Sequence, residues 1–170
     1  VEESFLVHPE SLRQLGERLR ELDAILADIP DEEDPGRIVH ATVATVMPDR
    51  LGLMRTVYWR AVRQGRRGGP VRQYLRALKN LCLNDFLTGR LEEAGTLADE
   101  GLMICEEHRY RFLSWYFTYI QALLAGVRGR FEESHALADR ITQWAVPRGV
   151  QGAVACAGHA HLLASLGEGD

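Results

Sequence analysis

The sequence has no long apolar run and few cysteines. No stretch of about 18 consecutive apolar residues occurs, so no membrane-spanning helix is expected. The three cysteines are Cys82, Cys105 and Cys156, an odd number spaced far apart, with no Cys-x-x-Cys pair among them. They therefore predict neither a disulfide framework nor a zinc site, and we interpret them as reduced, buried thiols.

The chain also lacks a basic excess and a leader segment. Its formal net charge is −4 and its pI about 5.9, which argues against a surface that neutralises nucleic-acid phosphates directly. No basic segment followed by an apolar stretch opens the chain, so we expect a cytoplasmic protein with no membrane contact. It begins at Val1 without an initiator methionine and ends in a turn-like segment, which we interpret as a fragment of a longer chain.

The chain is rich in helical periodicity. Apolar residues recur at spacings of three and four, and no segment alternates with the period of a strand. This pattern predicts helices over residues 10–29, 37–47, 50–64, 71–88, 91–108, 111–128, 131–145 and 149–166. The glycine-rich segment after residue 64 and Gly167 are expected to end their helices, and the acidic segment 30–36 is expected to be a solvated connector.

A motif recurs after 40 residues. Gly89–Ala94 returns as Gly129–Ser134, and residues 49–51 and 169–170 fall on the same spacing. A period of about 20–50 residues is typical of stacked supersecondary units. We therefore predict an all-α fold, with antiparallel helix hairpins stacked as an α-solenoid of about eight helices in one domain over residues 1–170. The predicted hairpins are 37–65, 71–108, 111–147 and an incomplete 149–170.

The recurring motif resembles the turn and second helix of tetratricopeptide repeats. The matching positions are Gly89, Leu91, Ala94, Ala98, Gly129, Phe131, Ser134 and Ala138. The period of 40 is longer than the usual value of about 34, and the first helices lack the pattern Trp-x-x-Leu-Gly-x-x-Tyr. We therefore expect an irregular stack with helices longer than those of the consensus repeat.

A narrower resemblance covers residues 76–170. Segments such as Gly89–Ala94, Ala98–Leu102 and Ala138–Gly149 look like the helical-repeat region of large actinobacterial LuxR-type transcriptional regulators, which are MalT-like in plan. That family has an ATPase module before the repeats and a DNA-binding domain after them. Neither is visible here, since the sequence has no GxxxxGK[ST] phosphate loop and no terminal DNA-reading helix pair.

The resemblance implies a non-catalytic sensor or scaffold segment. It would bind a protein, a peptide or a small ligand, and relay that binding to ATPase and DNA-binding domains outside the fragment, so DNA would be contacted only through a missing domain. The alternative is a free-standing peptide-binding or scaffold protein unrelated to transcription.

Patterns for catalysis and metal binding are missing from the sequence. His159 and His161 are two positions apart, which places them roughly 200° apart on a helix, so they cannot share a metal as an i, i+4 pair could. No serine or cysteine lies on a nucleophile elbow. We therefore expect no enzymatic activity, no cofactor and no metal.

Four aromatic residues within five positions mark a candidate surface. They span more than half of a helix circumference, so one or two should face a groove or a neighbouring subunit, with core packing as the alternative: Trp115, Tyr116, Phe117 and Tyr119. In tetratricopeptide repeats the first helix of each hairpin lines the concave face. By register from the turns, the predicted binding residues on that face are Lys79, Leu83, Tyr116 and Tyr119.

Two further features leave alternatives open. One basic group either grips a phosphate or an acidic partner, or is a solvated loop: Arg63, Arg66, Arg67 and Arg72. The final helix would lack the partner that follows it in a full repeat, so we expect the fragment to associate as a homodimer. The apolar residues expected to drive this association are Val150, Val154, Ala157, Leu162, Leu163 and Leu166.

Overall fold

The computed structural model describes residues 9–28 and 51–169, and all regular structure within these ranges is helical. The seven α-helices are α1 (Pro9–Asp28), α2 (Arg55–Arg66), α3 (Val71–Leu87), α4 (Leu91–Glu107), α5 (Arg111–Val127), α6 (Phe131–Ala145) and α7 (Gln151–Glu168). Short 3₁₀ turns, Leu51–Met54 and Val146–Arg148, precede α2 and follow α6. The all-α prediction is thereby confirmed. No described helix combines the length and apolar character that a membrane span requires.

Some predictions fall outside the described residues. They are the helix over residues 37–47, the acidic connector at 30–36 and the turn at residues 49 and 50, so the predicted total of about eight helices is not tested. The chain divides into two compact units between Val57 and Tyr58. The assignment of one domain to residues 1–170 stays a prediction.

In the first unit, α1 contacts the 3₁₀ turn that precedes α2. The side chains of Leu26, Met54 and Val57 are buried there. Other apolar side chains of α1 are more accessible, because Leu15 is 56% exposed and the leucines at 19 and 22 are half-buried. Of these four leucines, Leu26 is the most deeply buried.

The second unit advances in equal steps. Helices α3 to α7 begin at residues 71, 91, 111, 131 and 151, which are 20 positions apart. Each is followed by a residue with a left-handed backbone, also at intervals of 20: Gly89, Arg109, Gly129, Gly149 and Gly169. After α3, the amide of Arg90 donates to the carbonyl of Asp85 at 2.8 Å, which is the closing bond of a Schellman motif. The 40-residue sequence repeat is therefore two helix-and-turn steps.

Helices in the second unit pack in a regular order. Each helix from α3 to α7 packs on its successor, and in addition α3 packs on α5 and α5 packs on α7. The connections are three to five residues long, and connections of this length bring a helix back alongside the one before it. We call α3, α5 and α7 the first-helix layer, and α4 and α6 the second helices.

The buried faces follow the spacing of three and four that predicted the helices along most of this unit. The buried residues of α2 to α6 include Val62, Leu75, Leu78, Cys82, Ala94, Leu97, Ala98, Ser134, Ala138 and Ile141. No inner face was predicted for α7, and Ala157, one of the apolar residues expected there to drive association, is buried. Four alanines at 153, 157, 160 and 164 are fully buried, whereas Leu162 and Leu166 are 57% and 64% exposed. Since α7 packs on both α5 and α6, small side chains on its inner face let the backbones approach closely.

Gly65 and Gly167 lie just inside the ends of their helices. Helix α2 ends at Arg66, within the glycine-rich segment that was predicted to end it, and α7 ends at Glu168, one residue after the predicted Gly167. A Cβ atom at Gly65 would collide with the ring of Tyr74, and one at Gly167 would collide with the ring of Phe131. These glycines therefore make room for aromatic packing rather than supplying a left-handed turn.

Candidate functional site

Three of the four predicted binding residues form a contiguous group. The Nζ atom of Lys79 on α3 lies 5.0 Å from the ring centroid of Tyr116 on α5. The ring of Tyr116 is 6.0 Å from that of Tyr119, at an interplanar angle of 71°. Leu83, the fourth predicted residue, lies one turn further along α3 and is half-buried. Helices α3 and α5 thus bring together a cation and two phenol rings.

Helix α7 adds two residues that were not predicted. The hydroxyl of Tyr119 and Nδ1 of His159 are 2.6 Å apart and form a hydrogen bond. The thiol of Cys156 is close enough to influence the ionisation of Lys79 and of both tyrosines. Every helix of the first-helix layer therefore contributes. We call the group Lys79, Tyr116, Tyr119, Cys156 and His159 the layer site.

The repeat period explains why these positions converge. Lys79, Tyr119 and His159 are spaced by 40 residues, so they occupy the same position in three successive first helices. Tyr116 and Cys156 are related by the same spacing. The period was visible in the sequence and could have identified both α7 residues. Because the residue type changes at each step, no sequence motif marks them.

Lys79 is a half-buried cation without an anionic partner. Burial, and next the neighbouring Arg76, lower the pKa of Lys79 below its ordinary value of 10.5, against a smaller opposite effect of Cys156. Within the described residues, no carboxylate forms an ion pair with Lys79. The ammonium group lies over the electron-rich face of Tyr116, an interaction worth about 0.5–2 kcal/mol. An anionic group on a ligand would supply the ion-pair partner that Lys79 lacks.

The hydroxyl and thiol groups of the layer site stay protonated. Burial raises the pKa of Tyr119 to about 12, and it raises the pKa of Tyr116 still further above the ordinary value of 10. Burial also raises the pKa of the Cys156 thiol. A protonated thiol is a poor nucleophile, and a protonated phenol is a hydrogen-bond donor. This arrangement suits non-covalent binding through aromatic faces, hydroxyl donors and one positive charge.

Charge is divided between the two sets of helices. The second helices are acidic, and their acidic residues are Glu92, Glu93, Asp99, Glu100, Glu106, Glu107, Glu132, Glu133 and Asp139. The first-helix layer carries the cations Arg72, Arg76, Lys79 and Arg111. Its two carboxylates already have cationic or imidazole partners, because Asp85 accepts from Arg90 and Glu168 contacts His135. The layer site therefore lies on the basic and aromatic layer.

The predicted basic group is only partly available. Arg66 makes a two-pronged ion pair with Glu100 on α4, with both N–O distances 2.8 Å, and the hydroxyl of Tyr74 donates to the same carboxylate. Burial opposes ionisation of Glu100, but these two donors outweigh it and lower its pKa below the ordinary value. Arg63, Arg67 and Arg72 are exposed. Arg66 therefore forms an ion pair that links α2 to α4.

The aromatic group divides between core and surface. Phe117 is fully buried and Tyr119 is 7% exposed, whereas Trp115 and Tyr116 are half-buried. The indole nitrogen of Trp115 is buried without a hydrogen-bond partner among the described residues. Two of the four aromatics are thus partly open to solvent, and Tyr116 is the one that contacts Lys79.

The described ranges contain an open cavity but no cluster of metal ligands. An open cavity of about 370 Å³ lies at the turn between α4 and α5, lined by Leu102, Cys105, Glu106, Arg109, Arg111 and Ser114. Its charges are mixed, and it lies at an end of the helices. Within residues 9–28 and 51–169, no group of three or more His, Cys, Asp or Glu side chains is arranged to hold a metal.

No family model matches this chain, and no match is found among curated proteins or solved structures.

Proposed function

We propose that the chain is a non-catalytic helical-repeat module that binds an acidic segment of a partner protein on its first-helix layer. The observation that carries the proposal is the unpaired, half-buried Lys79 held against Tyr116 on a layer whose free charges are positive. A carboxylate of the partner would reach Lys79, and apolar or aromatic side chains would pack against the tyrosines. Charge complementarity of this kind favours association and excludes basic partners.

The proposal includes stacking of the tetratricopeptide type. It is supported by the equal 20-residue steps and by the contacts of α3 with α5 and of α5 with α7, because units stacked in one dimension contact mainly their neighbours. Each further hairpin adds one helix to such a layer. Lys79, Tyr119 and His159 occupy equivalent positions on three successive helices of the layer, and Tyr116 and Cys156 lie about one turn away from them.

We further propose that the module serves as the sensor or scaffold segment of a LuxR-type transcriptional regulator. The support is the sequence resemblance of residues 76–170, with binding at the layer site relayed to domains outside the fragment. The parent gene tests this part. A phosphate-loop module upstream and a DNA-binding domain downstream would support it, whereas a reading frame confined to the fragment would favour a free-standing scaffold protein.

Peptide binding tests the layer site directly. The probes are a pool of Asp- and Glu-rich peptides, each with one aromatic residue, and the same pool with every acid replaced by its amide. We expect the acidic pool to bind more tightly, and Lys79→Met to weaken that binding about tenfold, which corresponds to about 1.4 kcal/mol. Binding should also weaken as the pH rises through the lowered pKa of Lys79, because the neutral amine no longer attracts a carboxylate.

The matched control is Arg140→Met, which removes an exposed cation from the second helix α6 and leaves the net charge equal to that of the Lys79 variant. We expect little change in affinity for this variant. Equal binding of the acidic and amide pools would contradict the proposal. So would equal losses in the two variants, since the attraction would then depend on net charge rather than on the layer site.

A further inference from the structure

Two imidazoles meet between α6 and α7, outside the layer site. Nδ1 of His135 and Nδ1 of His161 are 2.7 Å apart, which is hydrogen-bond distance. The ring centroids are 5.0 Å apart, wider than the separation of about 3.5–4 Å expected for face-to-face contact. The rings therefore meet at their nitrogen-bearing edges.

Each ring has a carboxylate at its other nitrogen. Nε2 of His135 is 3.3 Å from Oε2 of Glu168, and Nε2 of His161 is 3.1 Å from Oδ1 of Asp139. The four residues alternate between the two helices: His135 and Asp139 belong to α6, and His161 and Glu168 belong to α7. They form a chain from carboxylate to imidazole to imidazole to carboxylate.

The number of protons in this chain follows from its geometry. An ionised carboxylate only accepts hydrogen bonds, so both Nε2 atoms must carry a proton in order to donate. The contact between the two Nδ1 atoms then requires one further proton, on one side or the other. With none, two lone pairs face each other at 2.7 Å, and with two, a pair of N–H groups does. The bonds are complete with one imidazolium and one neutral imidazole.

We propose that His135 and His161 share one proton and that this proton makes the packing of α6 on α7 depend on pH. The contact is strongest while the pair holds a single positive charge, and it weakens when the pair loses that proton or gains another. Helix α7 also carries Cys156 and His159 of the layer site. The histidine pair is therefore a second set of contacts that positions α7 in the first-helix layer. The inference does not depend on the proposed function, since it concerns the free protein.

The helices that pack together here carry further ionisable groups, among them Glu133 and Arg140 on α6 and Cys156 on α7. On α6, Glu132 and Asp139 lie about one turn before and after His135, and on α7, His159 and Glu168 flank His161. Helix α5, which also packs on both helices, carries Arg111, Tyr116 and Tyr119. Of these groups, Asp139 and Glu168 are the ones that contact the imidazole rings.

A double-mutant cycle tests the shared proton. The variants of the full chain are His135→Gln, His161→Gln and their combination, unfolded with urea at steps between about pH 5 and pH 8 in the presence of a chelator. We expect the interaction between the two positions to pass through a maximum within this range and to be lost toward both ends. Both side chains are about one-third exposed, so the variants are expected to fold.

The matched control is a second cycle that pairs His161→Gln with His108→Gln, an exposed histidine in the turn after α4, and the interaction between these positions should show no such maximum. Nitrogen NMR of the imidazoles is the second measurement. At the pH of the maximum we expect both Nε2 atoms to be protonated and one proton to lie between the Nδ1 atoms. An interaction that does not change with pH would overturn the proposal. A second contradicting result would be that zinc, added without the chelator, stabilises the wild type but not the double variant. A metal ion, rather than a proton, would then bridge the two imidazoles.

Discussion

At the scale of single residues, the glycines inside helices differ in whether another side chain packs against them. Gly101 of α4 lies against the ring of Phe117, and a Cβ atom there would collide with three of its ring carbons. Gly158 of α7 has no neighbouring atom within 4 Å of where its Cβ would be. Both positions lie inside a helix, so comparing the same substitution at the two positions distinguishes the effect of packing from that of intrinsic helix propensity.

We predict opposite effects of alanine at these two positions. Gly101→Ala should destabilise the fold by about 1–3 kcal/mol, because the ring of the fully buried Phe117 must move within a filled core. Gly158→Ala should stabilise it by about 0.5–1 kcal/mol through helix propensity alone. Urea unfolding of both variants provides the measurement. A loss at Gly158 as large as that at Gly101 would mean that packing against Phe117 is not the cause.

Sequence patterns located these residues only in part. The buried alanines and leucines of α4 and α6 follow from their spacing, because a helix buries one stripe. The sequence did not show that Gly65 and Gly167 face aromatic rings, since that depends on residues from other helices. Lys79, Tyr116 and Tyr119 followed from register, whereas Cys156 and His159 share the period but not the residue type, so no motif marked them.

At the scale of helices and turns, one turn departs from the others. Arg109 adopts a φ of 59° where the corresponding turns have glycine, for example Gly129 at 72°. A side chain in the left-handed region costs about 1–2 kcal/mol relative to glycine. The departure also explains why the sequence showed a period of 40 rather than 20, because the intervening turn has no glycine.

We therefore predict that Arg109→Gly stabilises the protein by about 0.5–1 kcal/mol, with the greater freedom of glycine in the unfolded chain offsetting part of the relieved strain. Gly129→Ala, at the equivalent turn, should destabilise it by about 1 kcal/mol. Thermal unfolding of the two variants measures both effects. Destabilisation by Arg109→Gly would indicate that the arginine side chain makes a contribution larger than its backbone strain.

The contact between α2 and α4 has its own pH dependence. Because the pKa of Glu100 is lowered in the folded state, its carboxylate contributes stability above the ordinary pKa of 4.5, and that stability is lost as the pH falls through the lowered value. We predict that Glu100→Gln costs about 1–2 kcal/mol at neutral pH, a modest figure because Arg66 is about half exposed.

Urea unfolding at neutral and acid pH measures this difference. The gap between wild type and Glu100→Gln should narrow below about pH 4.5 as the carboxylate becomes protonated. Glu93→Gln, an exposed position in the first turn of the same helix, provides the control and should show a much smaller gap. A gap that persists unchanged in acid would show that ionised Glu100 is not its source.

At the scale of the whole chain, the second unit is the part that the sequence described best. The boundaries of α3 to α6 were predicted to within one residue. The turn residues between the helices and the apolar stripes within them both indicate where each helix begins and ends. The inner face of α7 was missed because its alanines are less apolar than the leucines beside them, and burial was decided by how closely α5 and α6 approach. The local sequence pattern thus predicted the boundaries of the helices better than it predicted which face of each helix is buried.

The equal steps limit how a chain of this kind can grow during evolution. In the proposed stack, duplicating α4 with its turn would add 20 residues and move α5 to the opposite layer, so Lys79 would no longer meet the phenol rings of α5. Duplicating a pair would add 40 residues, keep each helix in its layer and extend the basic face by one helix. Relatives that differ in length are therefore expected to differ by whole hairpins, with the binding surface lengthened or shortened accordingly.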